Sequence, residues 1–143
     1  MTDLDRLEEL AQREHHLAVL ITLNDDGSPQ VSVVNCGIIS DPRSHEPCVA
    51  VVAARGRKTK NVRHRPLATV VVRAGWEWIA VTGAAALVTA DDADGAPGFA
   101  QLLRDIFHAA GGHHDNLDEY DRVMAAERRC AVLIRPDRFS TNR

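Results

Sequence analysis

"LAVLITLNDDGSPQVSVVNCGIIS", residues 17–40, decides how the rest of the chain is read. Its first seven residues, Leu17 to Leu23, are aliphatic or β-branched, as a strand requires. Asp26-Gly27 then supplies a tight-turn dipeptide, and Pro29 bars a helix across the junction. "QVSVVNCGIIS" (30–40) resumes as a second strand. Side chains alternate along a strand, so Gln30, Ser32 and Val34 share one face, and Val31, Val33 and Asn35 share the other.

Outward from this hairpin the strand pattern continues. "CVAVVAA" (48–54) reads as a third strand and "LATVVVRA" (67–74) as a fourth. "WEWIAVTGAAALVTA" (76–90) is a long fifth strand whose Gly83 marks a bulge or a barrel corner, and "CAVLIRPDRFS" (130–140) is a final strand. Three segments show helical period instead: residues 3–14 with Leu4, Leu7 and Leu10 behind a Thr2 or Asp3 cap, a segment entered through "DDADG" (91–95) with Phe99, Leu102, Leu103, Ile106 and Phe107, and residues 115–129 with Leu117, Tyr120, Val123 and Met124. Residues 1–143 are thus expected to form one mostly-β domain with an N-terminal helix over 1–15 and a helical insertion over 97–129. Its strand spacing fits a small antiparallel barrel, with an open α+β sheet as the alternative.

With 143 residues, the chain is long enough to bury a core without staples. Its three cysteines, Cys36, Cys48 and Cys130, form no CxxC and are expected to be reduced thiols, which points to the cytoplasm. No apolar run approaches the roughly 20 residues of a membrane helix. The formal charge of −3 argues against a general nucleic-acid binder.

Against that acidic background, "RGRKTKNVRHRP" (55–66) gathers six of the 17 Lys and Arg: Arg55, Arg57, Lys58, Lys60, Arg63 and Arg65. The remaining chain carries 11 cations against 20 acids. No acid occurs between Glu46 and Glu77, so no neighbour in sequence offsets the cluster. A short helix is expected over 57–64, ended by Pro66. Cations crowded at a helix N-terminus oppose its dipole unless an anion joins them. A phosphate satisfies both the helix N–H groups and the cations, and Thr59 and Asn61 add neutral donors.

Together these stretches resemble the pyridoxamine-phosphate-oxidase-like split β-barrel proteins, and specifically the flavin/deazaflavin oxidoreductases of the B branch that use coenzyme F420. The resemblance runs from about residue 17 to residue 139 through the opening hairpin, "RKTKNVRHRPLATVVV", "GWEWIAVTGAAALV" and "YDRVMAAERRCAVLIRPDRF". It implies a homodimer with cofactor sites at the subunit interface. Lys58, Thr59, Lys60 and Asn61 would surround the cofactor phosphate, with Arg55 or Arg57 contacting it as well. Gln30, Ser32 and Val34 would line the ring, and Trp78 would stand near it, from either subunit. The small pair Cys36-Gly37 replaces a bulkier residue and would widen the substrate side or alter the ring contacts. FMN binders share the fold and the basic segment, so FMN is the alternative cofactor. Arg63 and Arg65 would serve the acidic glutamyl tail of F420 or be solvated.

The implied activity is hydride transfer between F420 and a conjugated or quinone-like small molecule; a non-catalytic F420 or FMN carrier is the rival reading. No GxSxG and no Ser/His/Asp motif is present, so no catalytic side chain is assigned. His15-His16 and His113-His114-Asp115 lack metal-ligand spacing and are read as loop or surface residues. Trp76 and Trp78, two apart in one strand, are expected to share a face, in packing or in ring contact.

Overall fold

A computed structural model describes residues 1–92 and 96–142 of the chain. The part of the expected entry to helical period at 93–95 lies outside the described residues. The elements are α1 (Asp3–Arg13), β1 (Leu17–Leu23), β2 (Pro29–Ser40), β3 (Pro47–Ala53), α2 (Arg57–His64), β4 (Leu67–Ala74), β5 (Glu77–Val88), α3 (Ala96–Ala109), α4 (Leu117–Ala126), β6 (Cys130–Ile134) and β7 (Arg138–Thr141).

Six strands close a barrel in the order β1-β2-β3-β6-β5-β4, and β7 adds to β5. Every pairing is antiparallel. The closed barrel, rather than an open sheet, follows from two long strands that each serve two sheets. Pro29–Asn35 of β2 pairs with β1, whereas Cys36–Ser40 pairs with β3. Likewise β5 gives Glu77–Ala84 to β4 and Ala85–Val88 to β6. The barrel is therefore split into two half-sheets. Along Pro29–Asn35 the only paired neighbour among the described residues is β1, which leaves one strand edge facing the split.

Gly83 sits where β5 changes partners. A Cβ there would collide with the carbonyl of Arg135, so glycine is what lets the β6–β7 connection cross. The expected single strand over 130–140 is accordingly two strands. Arg135–Pro136–Asp137 interrupts it, and the Asp137 carboxylate accepts from Ala84 N–H at 3.0 Å.

Leu20, Val49, Val51, Val70, Val72, Ile79, Val81, Val132 and Ile134 fill the barrel, with Leu7, Leu10 and Ala11 of α1 packed into the same core. Thr2 caps α1 by accepting from Asp5 N–H, and Asp5 returns the bond to Thr2 N–H. A second cluster joins the outer face of β3 and β6, through Cys48, Ala50, Ala131 and Leu133, to Phe99, Leu102, Leu103, Ile106 and Tyr120 of α3 and α4. Val123, expected on the buried stripe of α4, is 40% exposed instead. All three cysteines are buried free thiols. Burial lifts Cys36 to about 12 and Cys48 to about 11, far from the thiolate range. Among the described residues no helix is long and apolar enough to cross a membrane.

Candidate functional site

The site is built on α2, which closes one end of the barrel against β1, β5 and β6. Its start is organised by Thr59, whose hydroxyl accepts from Gly56 N–H and donates to Gly56 C=O, both at 3.0 Å. Its middle is held by Asn61, buried to 3% exposure, whose amide donates to Thr22 Oγ1 at 3.1 Å and Asn24 Oδ1 at 2.9 Å. Its end is tied by Arg65 to Asp25 in the β1–β2 turn at 2.6 Å. These contacts fix the helix relative to the opening hairpin. Thr22, bonded to Asn61, is the register partner of Gln30.

Thr59 and Asn61 therefore reach the site as braces, with their side chains engaged inside the protein. Two of the six cations also find partners that are remote in sequence. Arg65 holds Asp25, and Arg63 approaches Asp92 at 4.0 Å. The acid-free stretch supplies no neighbour in sequence, and the fold brings these two acids in from outside it. Both acids are pulled below the ordinary carboxylate range. Hydrogen bonds from Arg65 lower Asp25, and hydrogen bonds from Thr89 lower Asp92 with Arg63 and Arg55 assisting by charge.

Arg55, Arg57, Lys58 and Lys60 form no ion pair among the described residues. Arg55 is oriented by donating to the Arg128 carbonyl at 3.2 Å. The first turn of α2 holds no acid. A cleft of about 250 Å³ opens there between Arg55, Gly56, Thr59, Lys60, Arg63 and Cys130. A methyl group built on Gly56 would meet nothing within 4 Å. The start of α2, the unpaired side chains of Arg55 and Lys60 and open space thus meet in this cleft, which suits the phosphate of a cofactor.

Gln30, Ser32 and Val34 lie on the inner face of β2, opposite Thr22, Leu20 and Ala18 of β1. They border the split, beside the strand edge that β3 leaves unpaired. Ser32 Oγ is buried and has no hydrogen-bond partner among the described residues. A buried hydroxyl left unsatisfied costs about 1–3 kcal/mol, so a polar edge of a bound ring would fit there. Trp78 occupies the other face. Its register partner is Arg73, while its neighbour Ile79 points into the core. One chain therefore does not bring Trp78 together with Gln30, Ser32 and Val34. Trp76 leaves the strand for the β4–β5 turn and is 94% exposed, so the two tryptophans do not share a strand face as expected.

The Cys36-Gly37 pair does not widen the site. Cys36 is core, and a Cβ on Gly37 would lie 2.6–2.7 Å from Ala109 and Ala110, so the missing side chain admits the end of α3. Sequence reading missed Arg128, whose backbone carbonyl positions Arg55; a main-chain acceptor leaves no signal in the residue types.

Residues 5–142 match the family described as pyridoxamine 5′-phosphate oxidase. Solved structures of the same fold include an FMN-binding protein related to pyridoxamine 5′-phosphate oxidase from Nostoc punctiforme, with 13% identity, coverage of 94% of this chain and 80% of that one, and a TM-score of 0.67. An F420 reductase aligns over 93% of this chain and 94% of its own, at 20% identity and TM-score 0.62. A heme storage protein of Vibrio cholerae aligns over 96% and 92%, at 13% identity and TM-score 0.59. Because the family match spans the barrel and both helical additions, this chain belongs to the pyridoxamine 5′-phosphate oxidase family.

Proposed function

We propose that the protein is an F420-dependent reductase, with its coenzyme phosphate on the N-terminus of α2 and its ring along the β2 edge. The observation that carries this is the set of four cations, Arg55, Arg57, Lys58 and Lys60, that form no ion pair among the described residues around a helix start whose first turn holds no acid. Four positive charges exceed what a single phosphate neutralises. That excess suits a coenzyme with further carboxylates beyond its phosphate, which favours F420 over FMN. The coenzyme supplies the hydride chemistry, and the protein supplies binding, orientation and exclusion of water.

The roles of the chain follow from placement. Arg57, Lys58 and Lys60 bind the anionic arm, with Arg55 presented by the Arg128 carbonyl. Asn61 keeps α2 in register with the hairpin, and Thr59 closes the start of the helix on Gly56. Ser32 and Gln30 offer polar contacts to the ring, and Val34 an apolar one. An acceptor stacked on that ring would be a planar, conjugated or quinone-like molecule. The active unit is a homodimer, in which Trp78 of one subunit approaches the ring held by the other.

The experiment is fluorescence titration of the protein with F420 and with FMN, followed by turnover with reduced F420 and a quinone. Tight F420 binding with turnover is expected. Preference for FMN, as the Nostoc neighbour suggests, would replace the cofactor assignment, and binding without turnover would make the protein a carrier. Lys58→Ala should weaken F420 binding by about 1–3 kcal/mol, the scale of a charge-assisted hydrogen bond. An unchanged affinity removes Lys58 from the site.

A further inference from the structure

A second cavity, of about 380 Å³, lies between α3, α4 and the segment after β5. Among the described residues it shares only Arg55 with the cleft at the start of α2. Phe99, Leu103 and Met124 give it an apolar floor, and Arg55, Arg128 and Arg129 line it with charge. That volume falls in the range of small-molecule sites.

Charge accounting leaves the cavity cationic. Asp121 is held by Arg104 at 2.6 Å, and Arg129 by Glu127 at 2.9 Å. Arg55 and Arg128 have no ion-pair partner among the described residues; Asp91 is the remaining carboxylate of the lining, and Asp92 stands near enough to Arg55 to be lowered by its charge. Both arginines line the cavity, and Arg55 Nε donates to the Arg128 backbone carbonyl at 3.2 Å. Both, with Arg63, oppose the rise that burial imposes on the Cys130 thiol.

Arg128 also occupies a position that disfavours it. The chain leaves α4 through a left-handed turn in which Arg129 N–H reaches Met124 C=O at 3.0 Å and Arg128 N–H reaches Ala125 C=O at 3.1 Å. Arg128 is the left-handed residue, at φ 53°. Glycine takes that place in most such turns because it has no Cβ to strain. An arginine here carries the Cβ strain that glycine would avoid, and its side chain lines the cavity beside the apolar floor.

We propose that this cavity binds a small monocarboxylate with an apolar aryl or alkyl body, its carboxylate held by Arg128 and Arg55 and its body resting on Phe99, Leu103 and Met124. The site is separate from the coenzyme cleft and does not depend on which cofactor binds there. It joins the two through Arg55, so occupancy of one alters the affinity of the other.

The test is calorimetric titration of the full chain with phenylbutyrate and with phenylbutanol, which keeps the body and removes the charge. Phenylbutyrate should bind with a dissociation constant on the order of 1 mM or tighter, and the alcohol about tenfold more weakly. Arg128→Gly should weaken phenylbutyrate at least about fivefold while raising the melting temperature, because glycine relieves the backbone as it removes the guanidinium. Met124→Trp should fill the floor and abolish binding. No saturable heat by about 10 mM, equal binding of acid and alcohol, or an Arg128→Gly variant that binds phenylbutyrate like the parent would each overturn the proposal. Arg128→Gly decides the matter alone if Met124→Trp does not fold.

Discussion

At the scale of single residues, Asn61 shows how a side chain in a binding segment can serve the scaffold. Its amide is buried and spends both of its hydrogens on Thr22 and Asn24, so α2 cannot shift without losing them. Asn61→Leu should cost about 1–3 kcal/mol, because it strips the buried Thr22 hydroxyl and the half-buried Asn24 side-chain carbonyl of a donor. Arg65→Ala, which breaks a pair whose Asp25 is largely exposed, should cost less than about 1 kcal/mol. Urea denaturation at constant slope separates the two, and equal losses would show that Asn61 is not the brace. The sequence could not reveal this role. "KTKN" reads as a row of donors, and their destination depends on a hairpin some 37 residues earlier. Arg63 and Arg65 were obscure for the same reason, since their acids, Asp92 and Asp25, lie outside the acid-free stretch.

At the scale of elements, local chemistry made the strands and helices legible. The Asp26-Gly27 turn, the aliphatic strands, the Thr2 cap and Gly83 at the barrel corner each act over a few residues or through a severe steric demand. What stayed hidden were breaks caused by tertiary packing: the division of β6 from β7 at Arg135–Asp137, and the departure of Trp76 into a turn. Gly37 belongs to this scale, because it sets how closely α3 seats on β2. Gly37→Val would drive a branched side chain into the backbone at Ala109 and Ala110. The helix must lift, at a cost of about 1–3 kcal/mol for an overpacked contact. Gly56→Ala is the control, since its methyl points into open space. Thermal melts should show a clear drop for Gly37→Val and almost none for Gly56→Ala. Similar melting temperatures would mean that α3 is not clamped at Gly37.

At the scale of the whole molecule, the two half-sheets are covered unequally. Helices α3 and α4 bury the outer face of β3 and β6, whereas among the described residues Val31 and Val33 on the outer face of the first half of β2 stay exposed. That open face is not polar. Cross-strand register aligns Val33, Val19, Val71 and Ala80 in one row, with Val31 beside Ile21 in the next. Val33 is 68% exposed and Val31 55%. A contiguous apolar face on a sheet is a common mark of an interface between subunits. It also carries Trp78, the candidate ring contact that a single chain keeps away from Gln30, Ser32 and Val34. A second copy laid on this face would bury the valine row and bring its own Trp78 to the boundary. Val33→Glu places a charge at the centre of the row, where burial without a partner is costly. Sedimentation velocity should show the parent at twice the chain mass and Val33→Glu at one, with far-UV circular dichroism unchanged. F420 affinity should fall with the dimer if Trp78 completes the partner's site. A parent that sediments as a single chain would remove both the interface and the shared site, and a dimeric Val33→Glu would move the interface to another face.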